Sequence, residues 1–376
     1  MTTPINVQYW MESCDIGPLG GAGGNVRMLT SAPAITTDIY CEQPYCSADG
    51  NRLVLLRHYR LGPDAGSELL VYDVARYRVG LLDRDVVGVA NAAWSGVLFV
   101  TAGRGPAARL VRWDLNTLTR EELFGWGDIP CAQLQSVSAD QRYGVGGATI
   151  GRGKFGIVRV ELPSGHWKLI YESPDICNPH LQCRLRSGAR ILVQENRGAR
   201  FDDEGNMVAP CDERGVGLFS LAADGSDRRD FPVGPPLTPR TTGHECWIGD
   251  TDRVLVTVAD FYEGGTLLEA SHDHAKPRVV STAPHRWNHI SASRCGRYFV
   301  TDTYESRSTP IIVGSIRTGQ WRVLCEPHTS GGGGQYTHLH PYLTGDNRWV
   351  VFNSDRTGLA QVYLAEIPGG FLEELG

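Results

Sequence analysis

Three histidines, His244, His289 and His340, each lie six residues before a residue that opens a tight turn, respectively Asp250, Cys295 and Asp346. The turns belong to a recurring strand–turn–strand unit, so a shared register places the three imidazoles at equivalent points in space. Gln335 and His338 stand just upstream of His340 in Gln-Tyr-Thr-His-Leu-His. Converging imidazoles beside an amide are donors for a divalent transition metal. A single histidine at a strand start more simply hydrogen-bonds its neighbour; the joint register is what favours a metal centre. Elsewhere the alternatives are plainer. His272-Asp-His274 reads as a solvated turn, and Gly331-Gly-Gly-Gly334 lacks the lysine and helix of a phosphate cradle.

The elements that must position these groups follow from the repeat. Tyr45-Cys-Ser-Ala-Asp-Gly-Asn-Arg-Leu-Val-Leu-Leu is its clearest copy: an apolar strand, a polar turn and a second apolar strand. Further copies begin at Asn91 (degenerate), Ser136, Cys183, Cys246, Ile290 and Pro341. They are spaced by roughly 40 to 60 residues, the period of a four-stranded propeller blade. Each is followed by a second hairpin, such as Glu68-Leu-Leu-Val-Tyr-Asp-Val with Tyr77-Arg-Val-Gly-Leu-Leu. No sustained helical period with caps is present. The expectation is an all-β, seven-bladed β-propeller forming one domain over residues 1–376. After Gln361–Glu366 the last blade lacks a fourth strand, and Val26-Arg-Met-Leu-Thr30 resembles the outer strands of other blades. The N-terminal strand is therefore expected to close the last blade and cover its edge.

In a blade the start of the first strand and the loop after the second lie at one end of the central channel. By that rule the starts bring Gln43, His180, His244, His289 and His340 to one face, and the loops bring His58, Arg60, Arg104, Tyr304, Arg307 and Arg356. The fourth blade carries the longest such loop, residues 196–214. Histidines within a ring of arginines suit an anionic ligand beside a divalent cation, with His58, Arg60, His180, Tyr304 and Arg307 as candidates to hold it.

A net charge of −6 disfavours nucleic acid or an anionic membrane as partner. The first ten residues lack the basic start and apolar core of a secretory signal, and no apolar run is long enough to span a bilayer. Ten dispersed cysteines without a Cys-x-x-Cys pair suggest reduced, buried thiols and a cytoplasmic location.

Gln335-x-x-His338-x-His340-Pro341, followed by Val350-Val-Phe-Asn-Ser-Asp-Arg and on to Pro368, resembles the C-terminal blade of the oligogalacturonate lyases. Gly243-His244-Glu245-x-Trp247-x-x-Asp250 and Asn288-His289-x-Ser291 resemble two further segments of that family. The resemblance is specific over residues 243–368 and architectural elsewhere. It implies a cytoplasmic seven-bladed propeller that binds manganese through three histidines and a glutamine and cleaves uronate oligosaccharides by β-elimination. The implied ligands are His289, Gln335, His338 and His340, with His244 catalytic or substrate-holding. The family's proposed base is an arginine of the fourth blade, for which Arg214 is the first match and Arg197 the second. On chemistry alone His244 is the better base, because an arginine must be held neutral at high cost. Calcium or zinc could replace manganese, and the linkage and the uronate remain open. The competing expectation is a non-catalytic propeller that binds an acidic sugar or a protein partner. A serine-peptidase propeller would need a hydrolase domain with a Gly-x-Ser-x-Gly elbow, for which the repeats leave no room.

Overall fold

The computed structural model describes residues 3–60, 66–185, 190–258, 265–304, 309–332 and 334–376. Among these the regular elements are strands and three short 3-10 turns, with no helix long and apolar enough to cross a membrane. All ten cysteines are free thiols, six of them buried.

The repeated turn explains why the strands pair where they do. In Ser47-Ala-Asp-Gly-Asn-Arg52 the Asp49 carboxylate accepts the Asn51 peptide N–H at 3.0 Å, and Ser47 Oγ accepts that of Arg52 at 3.0 Å. Gly50 between them has φ +68°, a left-handed conformation that glycine adopts without strain. The turn at Thr344–Trp349 is built the same way: Asp346 accepts from Thr344 Oγ1 at 2.7 Å and from the Arg348 N–H at 3.1 Å. Ser138, Asp140 and Arg142 repeat it. Side chains thus satisfy backbone groups that a tight reversal would leave unpaired.

The sheets correct the expected architecture. Among the described residues they hold nine, four, eight, two, four and five strands, rather than seven separate sets of four, and none returns on itself to close a ring of hydrogen bonds. The strand Arg78–Asn91 causes the first merger: it pairs with Ser67–Asp73 along one half and Val97–Ala102 along the other. It turns at Asp85 (φ +53°) and a bulge between Val86 and Gly88. The fourth strand of one unit is therefore continuous with the first strand of the next. The second merger is the bridge Val216↔Thr241, which joins Val216–Ala222 to Thr241–Trp247. A hydrophobic repeat marks hairpins but carries no signal for whether a strand runs on through a corner. The fold is all-β and propeller-like, with its sheets unclosed.

In the last sheet Val26–Met28 pairs antiparallel with Gln361–Glu366, and Cys14–Gly17 adds a strand beyond it. Thr30 Oγ1 donates to Gln361 Oε1 at 2.7 Å, tying both ends of the chain together. The apolar core is divided into clusters between neighbouring units. One packs Leu53, Leu55, Leu70 and Tyr72 against Tyr342, Val351, Val362 and Leu364; another packs Leu255 and Leu267 against Trp287, Phe299 and Ile312. Phe352 is fully buried and stacks on Tyr363 with ring centroids 5.5 Å apart. Phe352→Ala should cost about 3–5 kcal/mol, read as a lower midpoint in urea unfolding; a change within error would show that this layer repacks freely.

Candidate metal centre

His289 lies on Trp287–Ala292 where the pairing with Tyr298–Thr303 gains an extra residue between Trp287 and Ile290. The bulge lifts its peptide N–H out of the ladder, and the N–H donates instead to Asp302 Oδ1 at 2.8 Å. The same carboxylate meets His289 Nδ1, with Oδ2 at 2.9 Å. Nδ1–H is thereby committed to Asp302, and Nε2 is left as the donor of a lone pair. His244 sits in a comparable interruption, between the pairs Thr241↔Val258 and Glu245↔Val256, where Gly243 takes φ +83°. His340 precedes its strand with φ +44°. All three register histidines thus stand where the backbone leaves regular pairing.

The 3-10 turn Gln335–Thr337 delivers His338. Asn353 holds this segment: its Nδ2 donates to the His338 carbonyl at 3.3 Å and to Asp38 Oδ1 at 2.7 Å, while its own N–H donates to the Leu339 carbonyl at 2.8 Å. The result is a compact cluster. Ring centroids are 4.2 Å apart for His289–His340, 5.3 Å for His289–His338 and 5.7 Å for His338–His340. One nitrogen from each of the three lies within 4.8 Å of the other two. His338 Nδ1 and His340 Nε2 are buried with no hydrogen-bond partner. Such atoms are costly unless something binds them, and three neutral imidazoles of this spacing fit a divalent cation.

Burial, reinforced by the neighbouring imidazoles, holds His289 and His340 well below the ordinary histidine range, in the form that can ligate. Burial also pushes the Asp302 carboxyl up to about 8. A cation at the cluster would favour the ionised carboxylate and tighten its grip on His289. Asp302→Asn should therefore weaken Mn2+ binding about 10- to 100-fold while leaving the fold intact, measured by calorimetric titration; unchanged affinity would remove Asp302 from the centre.

His244 lies 4.5 Å from His289, centroid to centroid. Burial, then the charges of His289, His180 and His338, holds it well below its ordinary 6.5. Its Nδ1 faces Thr242 Oγ1 at 3.4 Å and Tyr304 OH at 3.5 Å. A cavity opens above it, lined among others by Tyr40, His180, Arg240, Arg286, Tyr304 and Gln335. Gln335 is thus on the cavity wall and is exposed.

Several of the other expected residues are placed elsewhere. Arg214 is 54% exposed, is absent from the cavity lining and clasps Asp212, with Nη2–Oδ2 at 2.6 Å. Hydrogen bonding to Asp212 raises its pKa further, which makes it a poor base. Arg197 pairs with Glu195 at 3.3 Å and does not line the cavity either. Arg214 turns toward an acid of its own loop and Arg197 toward Glu195 on the preceding strand. His58 is held by Ser67 Oγ at 2.8 Å and Arg60 is exposed, both away from the cavity wall. His180 and Tyr304 do reach it, and Arg307 lies outside the described residues. Among the described residues the arginines on the wall are Arg240 and Arg286, which the repeat register did not single out because they precede the first strands. Asp302 also went unmarked, although a carboxylate within Tyr-Phe-Val-Thr-Asp-Thr is the kind of buried charge that needs a partner.

Fold and centre together define an all-β, propeller-like protein with a buried histidine cluster suited to a divalent cation. No family model matches the chain. It is 23% identical over 298 residues to oligogalacturonate lyase of Dickeya dadantii (strain 3937), spanning 69% of this chain and 72% of the relative. It is 24% identical over 299 residues to oligogalacturonide lyase of Pectobacterium atrosepticum, again 69% and 72%. A solved oligogalacturonate lyase in complex with manganese matches with a TM-score of 0.73 at 17% identity, covering 99% of this chain and 98% of that one. The chain is similar to oligogalacturonate lyases in sequence and shares their fold.

Proposed function

We propose that the protein is a metal-dependent lyase that cleaves uronate-containing oligosaccharides by β-elimination. The observation that carries this reading is the juxtaposition of His244, held neutral, with the His289–His338–His340 cluster. Similarity to oligogalacturonate lyases, one of them solved with manganese, supports it.

The reaction removes a proton from the carbon alpha to a uronate carboxylate and expels the glycosidic oxygen from the adjacent carbon, leaving a carbon–carbon double bond. The proton is weakly acidic because the carboxylate beside it is already an anion. His289, His338 and His340, with Gln335, would hold a divalent cation, which when bound would supply Lewis-acid stabilisation of the charge on that carboxylate, its pull undiminished by neutral ligands. Burial keeps His244 unprotonated at neutral pH, so it can accept the proton directly. The hydroxyls of Thr242 and Tyr304 on Nδ1 orient the ring. Arg240 and Arg286 give the wall positive charge for the carboxylates of neighbouring sugars.

Metal-loaded protein offered galacturonate and glucuronate oligosaccharides should generate the ultraviolet absorbance of an unsaturated uronate. Binding without that product across the panel would point instead to a non-catalytic sugar-binding module. His244→Ala should lower kcat by about 10²- to 10⁴-fold with metal content unchanged; loss of the metal as well would make His244 part of the centre. The pH profile follows from the direction of the shift. A base whose pKa is lowered is neutral above that value and is lost as pH falls through it. The acid limb of kcat/KM should therefore lie below 6.5, the ordinary imidazole value; a limb at or above it would exclude His244 as the base.

A further inference from the structure

We propose that Glu42, His180 and Glu245 form a second divalent-cation site, distinct from the histidine cluster. Their donor atoms lie within 4.8 Å of one another. Glu245 is 0% exposed and neither carboxylate oxygen has a hydrogen-bond partner; Glu42 Oε1 and His180 Nδ1 are likewise buried without one. Three of these atoms converge within ion-pairing range: His180 Nδ1 is 3.3 Å from Glu42 Oε1 and 3.7 Å from Glu245 Oε1. Charge-assisted hydrogen bonds would draw such groups to about 2.7–2.9 Å. Separations above that suit donors arranged around one ion, since ligands about 2.0–2.2 Å from a metal lie roughly 3–3.5 Å from each other.

The surroundings hold the donors in this arrangement. Gln182 Nε2 donates to Glu42 Oε2 at 3.1 Å and to the Glu245 carbonyl at 2.7 Å, which turns Glu42 Oε1 toward His180. The Asn178 amide meets His180 Nε2 at 3.0 Å, satisfying the ring nitrogen opposite the proposed ion. His180 is kept at φ +42°, as His340 is at +44°, a backbone state that non-glycine residues occupy only when the surroundings enforce it. An ion has a way in, because His180 lines the cavity above His244 and also a second one with Tyr40, Glu42 and Gln43. Carboxylate oxygens with one imidazole favour an ion such as Mn2+. The Tyr40 ring separates the two centres, 6.0 Å from His180 and 6.2 Å from His289, centroid to centroid.

The site stands independently of the lyase reading, so its test counts ions rather than turnover. Chelator-stripped protein is titrated with Mn2+ as wild type, as His338→Ala, and as Glu42→Gln and Glu245→Gln in the His338→Ala background, with circular dichroism confirming the fold of each. Wild type should bind two ions, His338→Ala should keep one, and either glutamine change should remove that one or weaken it at least tenfold. A His338→Ala protein that binds none, or an ion indifferent to both glutamine changes, overturns the proposal. Should His338→Ala fail to fold, the wild-type count decides: two ions support the second site and one sinks it.

Discussion

Four crowded imidazoles, two of them buried and two half-buried, can coexist only if they share little charge, and much of the interior is arranged around that constraint. Each additional proton would meet both a desolvation penalty and the repulsion of its neighbours. His244, His289 and His340 are accordingly held neutral. Neutral rings bring free lone pairs, and lone pairs in a dry interior need an acceptor of electron density. The cluster is in this sense incomplete as protein alone, and the donor set, rather than any single residue, defines what would complete it.

Positioning such a cluster falls to irregular backbone. His244 and His289 occupy interruptions in otherwise continuous antiparallel pairs, and His340 is itself a left-handed step before its strand. A regular ladder would alternate these side chains above and below the sheet and bind their peptide groups to the next strand. The interruptions free a peptide N–H for Asp302 and turn the rings toward a common point. Rigid pairing on either side keeps each irregular step in place, which is how a sheet protein obtains a site as fixed as its core.

The histidine register and the strand–turn–strand repeat were legible because both are periodic, and periodicity survives in sequence. The all-β class and the meeting of His244, His289 and His340 followed from them, while His338 entered through its place beside His340 and the family resemblance. What escaped was set by geometry between repeats. Whether Arg78–Asn91 ends or continues through its corner depends on one left-handed residue and a bulge, so the separation into seven closed blades did not hold. Arg214 and Arg197 were placed by loop length, but their guanidinium groups turn to nearby acids. Asp302, Glu42 and Glu245 are buried acids, and a sequence does not distinguish a buried carboxylate from an exposed one although its burial demands a partner.

The pairing of Val26–Met28 with Gln361–Glu366 has a temporal side. These residues stand more than 300 positions apart, as the Thr30–Gln361 bond illustrates at a separation of 331. On the ribosome one edge of Val26–Met28 can pair at once with Cys14–Gly17, but its other edge must wait until nearly everything after it has emerged. Residues 14–28 carry few strongly apolar side chains and include a run of glycines, which suits a stretch that must stay unattached and soluble in the meantime. The last sheet thus acts as a latch: the pairing of Val26–Met28 with Gln361–Glu366 can form only once the chain has been made as far as Glu366.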